Sequence, residues 1–251
     1  KRVQNILLPN LKIDEDPYLV FDYSKGKMYY AVSIYTSIPI SSYAKSPILR
    51  YLGVCLVDVV DGEMSFYKNP NLKESNEDPT YPLWKIYMER YNWIDDIPDW
   101  LMEQMRYPEF LFEQQLSKNY IYHVQNPNTW KREDDFHERP SEGDLFYIET
   151  DLGEGIEYIG LDLVEYYGRE ARTLAGIYMV RHGEHFGEAI FYHTRGQVSK
   201  LVGPQTARDT YQSEATQEIS LIQDARNGNT LIYPLGGSLF YYIPTYSTAG
   251  D

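Results

Sequence analysis

The chain has 251 residues, 43% of them hydrophobic, and a formal net charge of −14. This length can bury a sizeable core, but the acidic balance disfavours binding to nucleic acid or to an anionic lipid surface, because both require a basic patch. Its 1 cysteine excludes an internal disulfide. The sequence contains no run of about eighteen apolar residues, so it predicts no membrane span.

The first part of the chain predicts a loop followed by a β-hairpin. Residues 7–17 contain prolines and acidic residues and indicate the loop. Residues 19–21 form a short apolar run, and residues 28–35 alternate with a period of two on the other side of a turn at 24–27. This pattern predicts two paired strands, the second with one buried face.

A second hairpin has the strongest local signal. Residues 38–47 are rich in proline and serine and predict a connection. Residues 51–60 are almost entirely apolar, which indicates a central strand covered on both faces. Asp61-Gly62 then supplies a tight turn, and Met64 and Phe66 share the inward face of the return strand.

The segment 81–124 is the one long stretch that predicts helix. Pro82, Pro98 and Pro108 each precede a run of residues compatible with a helix, which indicates three helix starts. In the third run, four apolar residues recur every four positions and predict a stripe that faces a core: Phe112, Leu116, Tyr120 and Val124. We expect these helices to cover the central strand.

Residues 126–144 are charged and punctuated by proline and glycine, which indicates a loop. Residues 145–150 and 156–165 predict a hairpin, and a change of parity in its second strand suggests a bulge near Gly160. Residues 174–181 and 188–194 predict another pair of strands.

The C-terminal part predicts a loop at 196–210, a shorter helix at 213–226 and a final hairpin in residues 230–243 around Gly236-Gly237. These elements together predict an α+β fold of mainly antiparallel hairpins, with helices at about 81–125 and 213–226 packed on the sheet.

His182, His185 and Glu188 form the best candidate for a metal site in the sequence. Two imidazoles and a carboxylate can bind one side of a divalent ion. A zinc site also requires a further ligand and supporting residues. Polar residues on a loop are common without a metal, so we predict no metal site here.

The acidic loop 133–138 is a second candidate, because it could supply calcium ligands or a glycosidase carboxylate pair. It lacks the spaced acidic pattern of a calcium loop, and blocks of like charge usually remain solvated. The other nucleophile candidates are equally weak. Cys55 lies in an apolar strand, and Ser238 lacks the Gly-x-Ser-x-Gly nucleophile elbow. Gly236-Gly237 is not a phosphate loop, because a strand follows it where a phosphate site requires a helix. We predict no catalytic or cofactor-binding residue.

Five stretches resemble the uncharacterised protein family UPF0182. They are residues 16–20, 31–36, 57–67, 106–112 and 217–246. Members of the family resemble one another as multi-pass membrane proteins of bacteria and archaea that have a large region outside the cytoplasm. The resemblance implies that this chain is much of that region, attached to the cell membrane through other segments. It carries no assigned reaction or cofactor. The start at Lys1, without a signal sequence, agrees with this expectation.

We therefore expect a single extracytoplasmic domain over residues 1–251, with 126–144 as the place where it would subdivide. The predicted role is non-catalytic: interaction or assembly at the cell surface, with other envelope or membrane proteins as partners. One alternative is a hydrolase of envelope glycans or peptides that uses carboxylates or a metal. A further alternative is a carbohydrate-binding module, which would present a planar row of exposed aromatic side chains.

Overall fold

The computed structural model describes residues 1–7, 11–38, 48–75, 77–78, 80–141, 143–168, 172–195, 201–235 and 238–248. The chain divides into two compact units: a first unit of Lys1–Phe112 with His182–Gly187, and a second of Glu113–Arg181 with Glu188–Asp251. Most of the predicted connection at 38–47 and the predicted turn at Gly236-Gly237 lie outside the described residues.

The fold is α+β, as predicted, and the strands pair in antiparallel fashion. The helices are α1 Arg2–Ile6, α2 Tyr81–Tyr91, α3 Asp99–Met102, α4 Glu109–Tyr122, α5 Pro127–Arg132, α6 Pro204–Glu214 and α7 Thr216–Ser220. The strands of the first unit are β1 Leu11–Ile13, β2 Tyr18–Asp22, β3 Lys27–Ile38, β4 Ile48–Asp58 and β5 Met64–Lys68. Those of the second unit are β6 His137–Glu138, β7 Phe146–Asp151, β8 Ile156–Tyr166, β9 Leu174–Arg181, β10 Ala189–His193, β11 Ala225–Asn227, β12 Leu231–Leu235, β13 Ser238–Tyr242 and β14 Thr245–Ser247.

The first unit is built on a five-stranded sheet in the order β1-β3-β4-β5, with β2 also paired to β3. Both predicted hairpins are confirmed. At the turn between β4 and β5, Gly62 has φ of +74°, and its amide donates to the carbonyl oxygen of Asp58. A glycine is favoured there because a positive φ costs other residues energy. The predicted loop at 7–17 contains the short strand β1. This strand has only three residues, which are too few to show an alternating pattern in the sequence.

The central strand β4 is buried on both faces, as predicted. Its Leu52 and Cys55 pack in a cluster with Trp84 and Tyr87 of α2. Its other face joins a separate cluster that contains Leu101, Met105 and Leu111 from the helical segment, together with Tyr51, Val54 and Leu56 of β4 itself. The same two layers bury residues 31–36 of β3 on both faces, so the prediction of one buried face is wrong for that half of the strand.

The predicted helix starts at the three prolines are also confirmed. Pro82 lies in the first turn of α2, Pro98 is the N-cap of α3, and α4 begins directly after Pro108. Phe112 and Leu116 of the predicted stripe are buried, and so is the neighbouring Leu111. Val124 lies beyond the end of α4, because the helix ends at Tyr122.

The second unit is built on a sheet in the order β10-β9-β8-β6, with β7 also paired to β8, and on the two-stranded sheets β11-β14 and β12-β13. The three predicted hairpins are confirmed. The bulge predicted near Gly160 is misplaced, because β8 pairs without interruption through that residue and its register shifts between Val164 and Glu165 in the pairing with β9. Gly160 has another role: an added Cβ would lie 3.2 Å from the Tyr147 ring and 3.1 Å from Val180.

Two helical predictions in the second unit need correction. The loop at 126–144 contains α5, which starts because the Asn126 side chain accepts from the amides of Asn128 and Thr129, and Pro127 occupies the first turn. Residues 196–200 of the predicted loop lie outside the described residues, and α6 occupies the predicted loop from Pro204 onward. The helix predicted at 213–226 is wrong in its bounds: α6 ends at Glu214, α7 covers Thr216–Ser220, and β11 begins at Ala225. Helix α6 begins at Pro204, and the buried Glu165 accepts a hydrogen bond from the amide of Gln205 at 2.9 Å. The Thr216 hydroxyl donates to the carbonyls of Gln212 and Ser213 where α6 ends.

Candidate functional site

Three histidines from separate elements line one cavity of about 530 Å³ in the second unit. His123 follows the end of α4, His137 lies in β6, and His193 ends β10. The cavity is also lined by two other rings, three uncharged polar side chains, one ion pair and two aliphatic residues: Phe191, Tyr166, Gln125, Asn126, Thr129, Asp135, Arg195, Val124 and Ala175. We call this site the histidine cavity.

The register of the sheet brings the rings together. Phe191 of β10 lies opposite Tyr178 of β9, and their rings stack with centroids 4.1 Å apart. Gly176 of β9 leaves room for Phe191, because an added Cβ would lie 2.5 Å from its ring. His137 of β6 lies opposite Tyr166 of β8, and its ring centroid is 5.2 Å from that of Phe191. The sheet therefore fixes this aromatic wall.

His123 and His137 form a stacked pair in the wall of the cavity. Their ring centroids are 4.1 Å apart and the planes meet at 22°. Nδ1 of His123 donates to the carbonyl oxygen of Asn119 at 2.7 Å, one helical turn earlier. Because imidazole nitrogens direct their lone pairs in the plane of the ring, two nearly parallel stacked rings do not converge on one metal ion. Since stacking covers the facing sides of the two rings and His137 is 6% exposed, the pair is suited to contact a ligand mainly through ring edges.

His137 is held in its neutral form. Its Nδ1 lies 3.0 Å from the Tyr178 hydroxyl, and burial, with the nearby His123, lowers its pKa to about 3. The Asn119 side chain also hydrogen-bonds the Tyr178 oxygen. With that amide as donor, the Tyr178 hydroxyl donates to Nδ1, and the proton of neutral His137 then lies on Nε2.

A buried polar network extends from the wall of the cavity. The Tyr178 ring packs against Tyr120 of α4 with centroids 5.8 Å apart. The Tyr120 hydroxyl donates to Asp162 of β8, which also accepts from Nε of Arg139 at 2.7 Å. Nη1 of Arg139 donates in addition to Glu113. Asp162 is 1% exposed, so the two donors supply the partners that a buried carboxylate requires.

The polar part of the cavity carries the ion pair of Asp135 and Arg195. Asp135 follows α5, and Arg195 follows β10. The pair places one carboxylate and one guanidinium beside the ring wall, and their formal charges cancel. The cavity thus combines flat rings with planar polar groups, the usual composition of a small-molecule site.

The residues of the predicted metal candidate have other partners. His182 is buried in the first unit, where its Nδ1 accepts from the amide of Tyr107 at 2.7 Å, and burial lowers its pKa to about 4. His185 ends a short turn of 3-10 helix at Gly183–His185. Glu188 lies in the second unit and binds Nη1 of Arg181 at 3.0 Å. The guanidinium of Arg181 also binds Glu154 and Glu157.

The acidic loop 133–138 serves mainly local structure. Glu133 ends α5 with a φ of +58°, Asp134 pairs with Arg132 at 2.8 Å, and Asp135 and His137 line the histidine cavity. Cys55 is a core residue as expected: it is 0% exposed, and burial raises its pKa to about 12. Ser238 is an exposed residue at the start of β13.

Comparison with known proteins gives the family. The sequence model described as an uncharacterised protein family, UPF0182, matches residues 1–222. The chain belongs to this family. A UPF0182 protein of Alkaliphilus metalliredigens is 25% identical over 98% of the chain, one of Salinibacter ruber is 27% identical over 100%, and one of Methanospirillum hungatei is 29% identical over 97%.

This UPF0182 chain is much shorter than those relatives. It spans 28% of the length of the first two and 29% of the third. No solved structure matches the chain. In the described ranges, the helices are all too short or too polar to cross a membrane. The chain therefore corresponds to one part of a larger UPF0182 protein.

Proposed function

We propose that this chain is an extracytoplasmic, non-catalytic part of a larger UPF0182 membrane protein, and that it acts by binding a ligand in the histidine cavity. The observation that carries the proposal is the cavity itself, about 530 Å³ in volume, which lies in the range of about 300–1,000 Å³ typical of small-molecule sites. Its wall is held by the hydrogen bond between Tyr178 and His137 and by the one that His123 donates to the carbonyl oxygen of Asn119. A preformed site loses little free energy to ordering when a ligand binds.

The electrostatics of the cavity favour binding over general acid-base catalysis. A catalytic base works best with a pKa near the operating pH, whereas the pKa of His137 is lowered to about 3. The Asp135 carboxylate is held by the Arg195 guanidinium. His137 and the Asp135–Arg195 pair are therefore suited to fix the shape of the cavity and to accept or donate hydrogen bonds to a ligand.

The location is tested by labelling a cysteine in intact cells. In full-length protein whose cysteines outside this chain have been replaced, Val60→Cys offers a thiol at a position that is 94% exposed, in the turn after β4. We expect a membrane-impermeant maleimide to label this variant in intact cells. The same protein without Val60→Cys is the matched control, because its Cys55 is 0% exposed. Labelling of Val60→Cys only after lysis would contradict the proposed location.

Binding is tested with histidine-selective labelling and NMR on the 251-residue chain. The chain has 5 histidines: His123, His137 and His193 line the cavity, and His182 and His185, which belong to the first unit, serve as internal controls. We expect a ligand from a panel of sugars, nucleotides and peptides to shift the three cavity signals saturably. No such shift with any compound would refute the binding role. Turnover of a compound, abolished by His193→Gln, would refute the non-catalytic role.

A further inference from the structure

The chemistry of the histidine cavity narrows the class of ligand, and this inference rests on the proposed function. We propose that the cavity binds one or two rings of a neutral carbohydrate. Three features carry the proposal: flat rings in the wall, planar polar side chains beside them, and formal charges that cancel.

The ring wall suits the apolar face of a sugar. A pyranose presents a patch of C–H groups whose slight positive polarisation is attracted to the negative face of an aromatic ring. Phe191 and Tyr166 supply half-buried aromatic rings. His137 is 6% exposed and lies behind the stacked His123 ring, so it adds an uncharged edge to this wall. The rings of Phe191 and His137 meet at 46°, which gives the wall a bend. A bent wall can contact two neighbouring sugar rings, or one sugar ring and a substituent on that ring.

The remaining wall suits hydroxyl groups. Gln125, Asn126, Asp135 and Arg195 carry amide, carboxylate and guanidinium groups. The planar groups of Gln125, Asp135 and Arg195 each hold two polar atoms at a spacing that matches two adjacent hydroxyls, so they can bind them in a bidentate manner. The Asn126 oxygen already accepts from the amides of Asn128 and Thr129. Asp135 and Arg195 are already joined by an ion pair, which holds them in place before a ligand arrives.

The charge of the cavity disfavours ionic ligands. With the histidines counted as neutral, Asp135 and Arg195 are the charged residues that line it, and their charges cancel. A phosphate site normally gathers several cationic groups or backbone amides at a helix start. A site for an organic cation normally combines aromatic faces with excess negative charge. A neutral polyol requires neither an excess of cationic groups nor an excess of negative charge. The volume of about 530 Å³ accommodates one or two sugar rings.

The test uses the same five histidine signals with defined probes. The neutral probes are cellobiose and N,N′-diacetylchitobiose. Glucose 6-phosphate and adenosine are the probes for an anion and for a flat base. We expect at least one neutral disaccharide to shift the signals of His123, His137 and His193 saturably at millimolar concentration or below. His182 and His185 should remain unshifted.

Variants then locate the binding groups. Arg195→Gln removes the guanidinium that lines the cavity, and we expect it to weaken binding of the disaccharide at least tenfold. Arg132→Gln is the matched control, because Arg132 forms an exposed ion pair with Asp134 at 2.8 Å and does not line the cavity. His193→Gln, at an exposed strand end, is a second cavity variant and should also weaken binding. Unfolding curves establish that each variant is folded.

The outcomes separate the two proposals. If glucose 6-phosphate or adenosine shifts the three cavity signals and neither disaccharide does, the proposal of a neutral carbohydrate is wrong and the binding role stands. If none of the four probes moves these signals, the carbohydrate proposal is refuted, and the wider panel decides the binding role. Equal weakening by Arg195→Gln and Arg132→Gln would place the sugar outside the cavity and refute the inference.

Discussion

Acidification should destabilise the protein through two buried histidines, His137 and His182. The pKa of His137 is lowered to about 3 and that of His182 to about 4, in both cases chiefly by burial. An unfolded histidine has a pKa near 6.5. A group whose pKa is lower in the folded state binds its proton preferentially when unfolded. Its contribution to stability is therefore present above pH 6.5 and is lost as the pH falls toward the folded pKa.

Between pH 7 and pH 5, the loss of unfolding free energy per histidine depends almost entirely on the pKa of the unfolded side chain. At pH 5 the unfolded side chain is almost fully protonated, whereas both folded side chains remain mostly neutral. Each histidine should then cost about 2 kcal/mol of unfolding free energy between these two pH values. The two costs should add, because the residues belong to different units and hydrogen-bond different partners, Tyr107 for His182 and Tyr178 for His137.

The assay is urea unfolding at pH 7, 6 and 5 of the unmodified chain, of His137→Gln and of His182→Gln. Asp162 and Glu165, whose pKa values are raised by burial, act with the opposite sign, so the informative quantity is the difference between each variant and the unmodified chain. We expect each variant to lose about 2 kcal/mol less than the unmodified chain between pH 7 and pH 5. Parallel pH dependences for all three proteins would refute the reasoning.

Three further predictions concern the core of each unit. Gly53→Ala should destabilise the first unit by roughly 3 kcal/mol or more, measured by urea unfolding, because the new Cβ would lie 2.0 Å from the backbone oxygen of Tyr67. Gly26→Ala, at a positive φ in open space, should cost only about 1 kcal/mol, and equal costs would contradict the steric argument. Arg139→Met should cost about 3–5 kcal/mol, because it leaves the buried Asp162 without its cation; a change within about 0.5 kcal/mol would contradict it. Cys55 should react with a thiol reagent only at the rate of unfolding, since it is 0% exposed, and rapid labelling of the native chain would show otherwise.

The sequence predicts the parts of this fold whose signals are local. The turn at Asp61-Gly62 and the helix starts at Pro82, Pro98 and Pro108 each depend on backbone preferences of one or two residues, and each is found in the structure. The two faces of β4 could also be predicted, because a strand apolar on both sides requires a layer on each. The helical segment supplies side chains to both layers.

The elements that were missed depend on competing or distant signals. Helix α5 has an Asn126 cap and Pro127 in its first turn, but the acidic run that follows has the composition of a solvated loop. Helix α6 receives a hydrogen bond acceptor from Glu165, a residue in a strand far away in the sequence. Such a partner depends on tertiary packing and could not be predicted from the helix sequence.

The histidine cavity was missed for the same reason. His182, His185 and Glu188 form a recognisable pattern because they are close in sequence, whereas His123, His137 and His193 come from a helix end and two strands that are not adjacent in the sheet. The available signal was indirect. Gly176, a glycine inside the apolar strand β9, indicates a place where another group approaches the backbone closely, and that group is the ring of Phe191.

The position of the buried charges also bears on how the cavity works. Asp162 lies opposite Tyr178 in the sheet, and Tyr178 lies opposite Phe191, so one cross-strand row runs from the buried carboxylate to the cavity wall. Tyr178 of this row hydrogen-bonds His137. Tyr120 of α4 packs on the Tyr178 ring and donates a hydrogen bond to Asp162. Hydrogen bonds are directional, so they fix ring orientation more tightly than apolar contact alone would. The network therefore holds the rings in one arrangement before a ligand binds. Because the cavity wall is fixed in this way, we expect the cavity to select ligands by their shape.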